Sequence, residues 1–170
     1  MNHQHPKLPH DLPKTKSDID AVKALSILSF SELEAYLPEL LEWIQDVNWP
    51  LSSFVTELIR SHGGPVVPSV KIALSKAKMS EDAIWAQNII ELIIKPLGRE
   101  QIILFNSEFR SWWFSDNTEI KLLIFGLMAE NKIGDQEELK KWVTINRKAF
   151  EIHLEDLKHI ESQLDQNFIK

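Results

Sequence analysis

The sequence predicts an all-α fold, a short irregular α-solenoid of antiparallel helix pairs followed by a C-terminal helical extension. Three observations carry that prediction. Glycine is rare at 5 residues, one Tyr stands against 6 Trp and 8 Phe, and long segments are rich in Leu, Ile, Glu and Lys, a balance that favours helices over strands. Apolar residues recur at helical spacing between capping residues and Pro or Gly stops. Two units also echo each other: Pro38 and Pro68, each followed by an apolar helix, are 30 residues apart, and Trp49 and Trp85, each near a helix start, are 36 apart.

Each element follows in order. Residues 1–13 contain Pro6, Pro9, Pro13, His3, His5 and His10, and read as an extended or disordered tail. Ser17 is positioned to cap a first helix, Asp18 and Asp20 suit its positive end, and Ile19, Val22, Leu25 and Leu28 form one face. A second helical stretch runs from about Ser31 to Asp46. Pro38 lies inside it and must either kink the helix or begin a new one. A third helix follows Pro50 and runs to about Ser61, where Gly63, Gly64 and Pro65 stop it. The fourth runs from Val66 or Pro68 to about Lys78. A fifth opens at Ser80 with Glu81 and Asp82, carries Ile84, Trp85, Ile89, Ile90, Ile93 and Ile94, and ends at Pro96, Leu97 and Gly98.

Beyond Asn106 the pattern changes. The stretch "EFRSWWFSD" leads into a helix capped by Asp116, with Glu119 completing a capping box and Ile120, Leu123, Ile124, Leu127 and Met128 as its apolar face. Residues 136–168 contain neither Gly nor Pro, and Phe150, Leu154, Leu157, Ile160, Leu164 and Phe168 form a stripe. As one helix they would reach ~50 Å, which fits a cap over the last helical pair or a helix that pairs with a second copy of itself.

Composition limits the function. With 170 residues and 44% apolar content the chain has enough material for a substantial core. It lacks cysteine, so disulfides, thiolate metal sites and a cysteine nucleophile are excluded. The opening "MNHQHPKLPHDLPKTK" has no apolar run of signal-peptide length, and no segment reaches the ~18 apolar residues of a membrane span, so a cytoplasmic location without membrane contact is expected. A formal charge of −6, with 10 basic and 13 acidic residues up to position 105 and 9 and 12 beyond it, weighs against binding nucleic-acid phosphates.

The segments "DLPKTKSDIDAVKAL", "LPELLEWIQDVNWP" and "EDAIW" resemble a family of small bacterial HEAT-like helical proteins known as a domain of unknown function, number 5071. The resemblance covers about Asp11 to Phe105, and "LLEWIQDVNWP" is its most specific part. It implies a HEAT-like array over residues 14–105, leaves residues 106–170 as an appended extension, and brings no catalytic residues with it.

Candidate sites follow from charge and aromatic placement. Between Lys23 and Arg60 no Lys or Arg occurs, while Glu32, Glu34, Glu39, Glu42, Asp46 and Glu57 fall in that interval. Glu39, Glu42 and Asp46 have the spacing of one helical face. A solvated face is the common explanation; the sharper one is an acidic patch that attracts a basic partner. Trp43 is explained by core packing. Trp49 belongs to a structural corner, with Asn48 capping the next helix and Trp49 folded onto the preceding one, or else to a binding edge. Trp112 and Trp113 cannot point the same way on a helix, so they cover the join to the extension or leave one ring partly exposed.

The leading function is a non-enzymatic module that binds an unknown, basic protein, one concrete version being an immunity-type or antitoxin-type protein. The residues assigned to partner binding are Glu39, Glu42, Asp46, Asn48, Trp49, Asp82, Trp85 and Trp112. Two alternatives stand beside it. One is a HEAT-like nucleic-acid repair enzyme with Trp85 near Asp82 and Trp49 near Asp46 in its groove, which the acidic balance disfavours; the other is a homodimer held by the last helix. His153, Glu155, Asp156 and His159 lie together in sequence, but the two histidines face differently on a helix. No metal, cofactor or catalytic residue is expected.

Overall fold

In the computed structural model, which describes residues 11–148 and residue 151, every regular element among the described residues is helical. The all-α prediction holds. The expectations for residues 1–10, for the His153 to His159 group and for the stripe from Phe150 to Phe168 concern positions outside the described residues.

Helix α1, Ile19–Leu25, buries Val22 and Leu25 and packs on α4, Pro50–Ser61. Its N-cap is Asp18 rather than Ser17. The expected stretch from Ser31 to Asp46 is broken in two. Helix α2, Phe30–Leu33, passes through a 3-10 turn, Glu34–Tyr36, into α3, Leu37–Glu42, with Pro38 in its first turn. Pro38 therefore begins a helix instead of kinking one, since its missing N–H falls where no intrahelical acceptor waits. Before α2, the Glu32 carboxylate accepts the Ser29 backbone N–H at 2.9 Å.

Helix α4 ends where Gly63 takes a φ of +57°, a left-handed turn that side-chain-bearing residues rarely adopt. Next comes α5, Val67–Met79, joined by a tight turn to α6, Ala83–Ile89. The N-cap of α6 is Asp82, not Ser80: its Oδ1 accepts the Trp85 backbone N–H at 2.9 Å, and Glu81 takes φ 56° to make the turn. Past Ile89 the helix widens into a π-turn, Ile90–Ile94, closed by Lys95 N–H donating to Ile90 O at 2.8 Å.

Short helices α7, Arg99–Ile102, and α8, Asn106–Ser111, lead to α9, Thr118–Glu130. Asn117 caps α9 by accepting the Ile120 N–H at 3.0 Å, so the expected cap at Asp116 moves one residue on. Residues 136–148 are again helical. One core runs from Val22 to Leu139, with α3 and α8 on α5, and α9 on α6. Leu12 packs against that core and Pro13 is buried, so residues 11–13 are not part of a free tail.

Candidate binding site

The corner between α3 and α4 gathers most of the residues singled out by sequence. Helix α3 stops at Glu42, and Trp43 is its C-cap. Asp46 consequently lies in the turn beyond the helix and does not continue a face with Glu39 and Glu42. Its Oδ1 accepts both the Asn48 backbone N–H, at 2.9 Å, and the Asn48 side-chain amide, at 3.0 Å. Asn48 is thereby engaged in the turn, and Trp49, in extended conformation, is the N-cap of α4.

From opposite sides of this turn, Trp43 and Trp49 meet edge to face, with ring centroids 5.7 Å apart and planes at 67°. That arrangement sets the positive edge of one indole against the negative face of the other. Both are half-buried. Around them Leu12, Pro13, Glu39, Glu42 and Gln45 complete a pocket of about 370 Å³. Lys16 places its ammonium 5.5 Å from the centre of the Trp49 ring, and its carbonyl accepts the Leu51 N–H at 3.1 Å, which ties this segment to α4.

The charges here are less free than the sequence implies. Glu42 is ion-paired with Lys76 of α5, which lies 34 residues away and outside the charge gap. Of the Glu39 carboxylate, Oε2 is buried and receives no hydrogen bond. A carboxylate oxygen removed from water without a donor is costly.

Behind the pocket, α6 fixes the end of α3. The Trp85 indole N–H donates to Leu41 O at 2.9 Å, and the Asn88 amide donates to Ile44 O at 3.0 Å and Gln45 O at 3.1 Å. These carbonyls lie where a helix leaves its acceptors unsatisfied, so Trp85 and Asn88 act as a C-terminal clamp. Trp85 is 2% exposed. It is therefore withdrawn from any partner surface, whereas Asp82 stays half-buried with its Oδ1 engaged as a cap.

Of the two expectations for Trp112 and Trp113, covering the join to the extension and leaving one ring partly exposed, the first fits. Helix α8 has ended at Ser111, so the two rings sit in a turn and both are buried, at 2% and 3% exposure. Trp113 contacts Phe125 and Trp142 with centroids 5.8 and 5.7 Å apart, while Phe114 is the exposed member at 74%. Trp112, almost wholly buried, lines a pocket with Lys78 and Phe114, and Lys78 places its ammonium 4.7 Å from the centre of its ring. Arg110 makes a two-pronged ion pair with Glu138 at 2.7 and 2.8 Å, and these hydrogen bonds raise its guanidinium pKa above the ordinary value.

With this geometry in view, a family model described as Domain of unknown function (DUF5071) matches residues 12–118, well over half of the chain. The chain belongs to DUF5071. No curated protein matches it. The DUF5071 match holds every residue of the Trp43–Trp49 pocket, and it runs past Phe105 to the first residue of α9, so the Trp112–Trp113 turn lies within the family region. Among the described residues of this DUF5071 chain, no helix is long and apolar enough to cross a membrane.

Of the residues bearing on the pocket, sequence reading had named Glu39, Glu42 and Trp49, and had given Trp43 to the core. Lys16, Lys76 and Asn88 were missed. Lys16 carried no local signal, since Lys23 stands between it and the charge gap; Lys76 and Asn88 act across more than 30 residues and leave none either.

Proposed function

We propose that this DUF5071 chain is a non-enzymatic binding module for a basic protein, in the manner of an immunity or antitoxin protein, working in a bacterial cytoplasm. Its helix pairs stack as a short HEAT-like array, and the pocket at the α3–α4 corner is the docking point. The observation that carries this reading is the joining of a half-buried indole pair to Glu39, whose Oε2 is buried and receives no donor. Clustered aromatic rings supply contact area, and carboxylates beside them select for positive charge.

The test uses the full chain as bait against lysate, followed by purification of any captured protein and titration calorimetry. Bait carrying Glu39→Lys and Glu42→Lys is run in parallel after circular dichroism shows it folded, with Asp46 left intact because its carboxylate holds the turn. The expected result is a basic partner whose affinity falls by at least ~10-fold in the variant. Equal affinity for both baits, or partners with no basic surface, would overturn the reading.

A further inference from the structure

We infer that the Trp43–Trp49 pocket takes the side chain of a single arginine, and that Lys16 is its internal stand-in. The inference rests on the reading above that the partner is a basic protein, and it names the group that docks.

Three observations point to a planar cation. Trp43 and Trp49 stand edge to face and both line the pocket, which gives it aromatic surface. One face is already used in this way, because Lys16 sits over Trp49 at 5.5 Å while no carboxylate among the described residues lies within ion-pairing distance of it. The ring therefore holds a positive charge by its quadrupole rather than by an ion pair. Finally, Glu39 lines the same pocket with Oε2 buried and undonated.

These demands are met together by a guanidinium. Its plane stacks on an indole while its fork of N–H donors reaches a carboxylate edge. An ammonium on a flexible stem is a compact, strongly hydrated charge that satisfies one of the two, which is what Lys16 does. Since Lys16 shares its segment with Leu12 and Pro13, which form one wall, an incoming arginine competes with a tethered lysine for the Trp49 ring.

The experiment follows the indole N–H resonances of the full ¹⁵N-labelled chain, with Trp43 and Trp49 assigned through Trp43→Phe and Trp49→Phe. The probes are acetyl-Gly-Arg-Gly-amide, its lysine counterpart and its glutamine counterpart. The arginine probe is expected to move the Trp43 and Trp49 signals and leave the four other indoles in place. The lysine probe should bind at least ~5-fold more weakly, and the glutamine probe should cause no movement. Glu39→Gln, which keeps the shape and removes the charge, should lose the response, and Lys16→Ala should tighten it roughly 3-fold.

If neither signal moves in wild type or in Lys16→Ala at millimolar probe, or if lysine and arginine act equally, the inference fails. Its failure is separable from that of the function. A basic partner lost on charge reversal but bound unchanged by Glu39→Gln and Lys16→Ala would leave the docking face standing and remove the arginine. Movement of the two indoles by the arginine probe with no basic protein captured would keep the pocket and remove the proposed partner.

Discussion

Trp85 is fixed at both ends of its side chain, by core packing around the rings and by the indole N–H bonded to Leu41 O at 2.9 Å. Replacing it with Phe preserves an apolar ring but leaves the Leu41 carbonyl, in a dry site, with only the long bond from the Ile44 N–H at 3.5 Å, and opens a small void. Trp85→Phe should therefore destabilise the fold by roughly 2 kcal/mol, read from a urea titration monitored by helical ellipticity. Sequence placed Trp85 correctly near a helix start and then misjudged its role, because a tryptophan beside an aspartate reads the same whether its ring points in or out. The same limit applied to Glu42. Its charge was legible, but the lysine that answers it comes from another helix, and no local spacing rule reaches that far.

At the scale of elements, helix existence was the most legible feature and helix ends the least. Prolines and glycines marked α3, α4 and the close of α6 because their effects on backbone geometry are local. Caps were displaced by a residue or two, from Ser17 to Asp18, from Ser80 to Asp82 and from Asp116 to Asn117, since several neighbouring side chains could cap and packing chose among them. The π-turn Ile90–Ile94 had no sequence signal beyond its nearness to Pro96. Pro96 has no N–H to offer Leu92 O, and the Arg60 side chain of α4 donates to that carbonyl instead. Arg60→Met, which keeps the aliphatic stem, should weaken stability by about 1 kcal/mol, and hydrogen exchange should quicken at the α6 end before it does in α5.

Across the whole molecule, the joining of residues 136–148 to the family region depends on Arg110 and on the aromatic group of Trp113, Phe125 and Trp142. The ion pair is more than a third exposed, so solvent screens it and the rings carry most of the attachment. Arg110→Leu should cost about 0.5–1 kcal/mol, with faster amide exchange over 136–148 and little change in α4 or α5. Because the family resemblance stopped at Phe105, sequence left open whether the extension packed on the array shares its core; the buried turn at Trp112 and Trp113 belongs to the one core. Two indole pairs, Trp43 with Trp49 and Trp113 with Trp142, each have centroids 5.7 Å apart with their planes steeply inclined. Chromophores so close and so skewed share their excited states, and each pair contributes its own signed band to the far-ultraviolet dichroism. The spectrum of this protein thus records two specific corners of the fold as well as its helices, and loosening either corner changes the light it absorbs before any helix is lost.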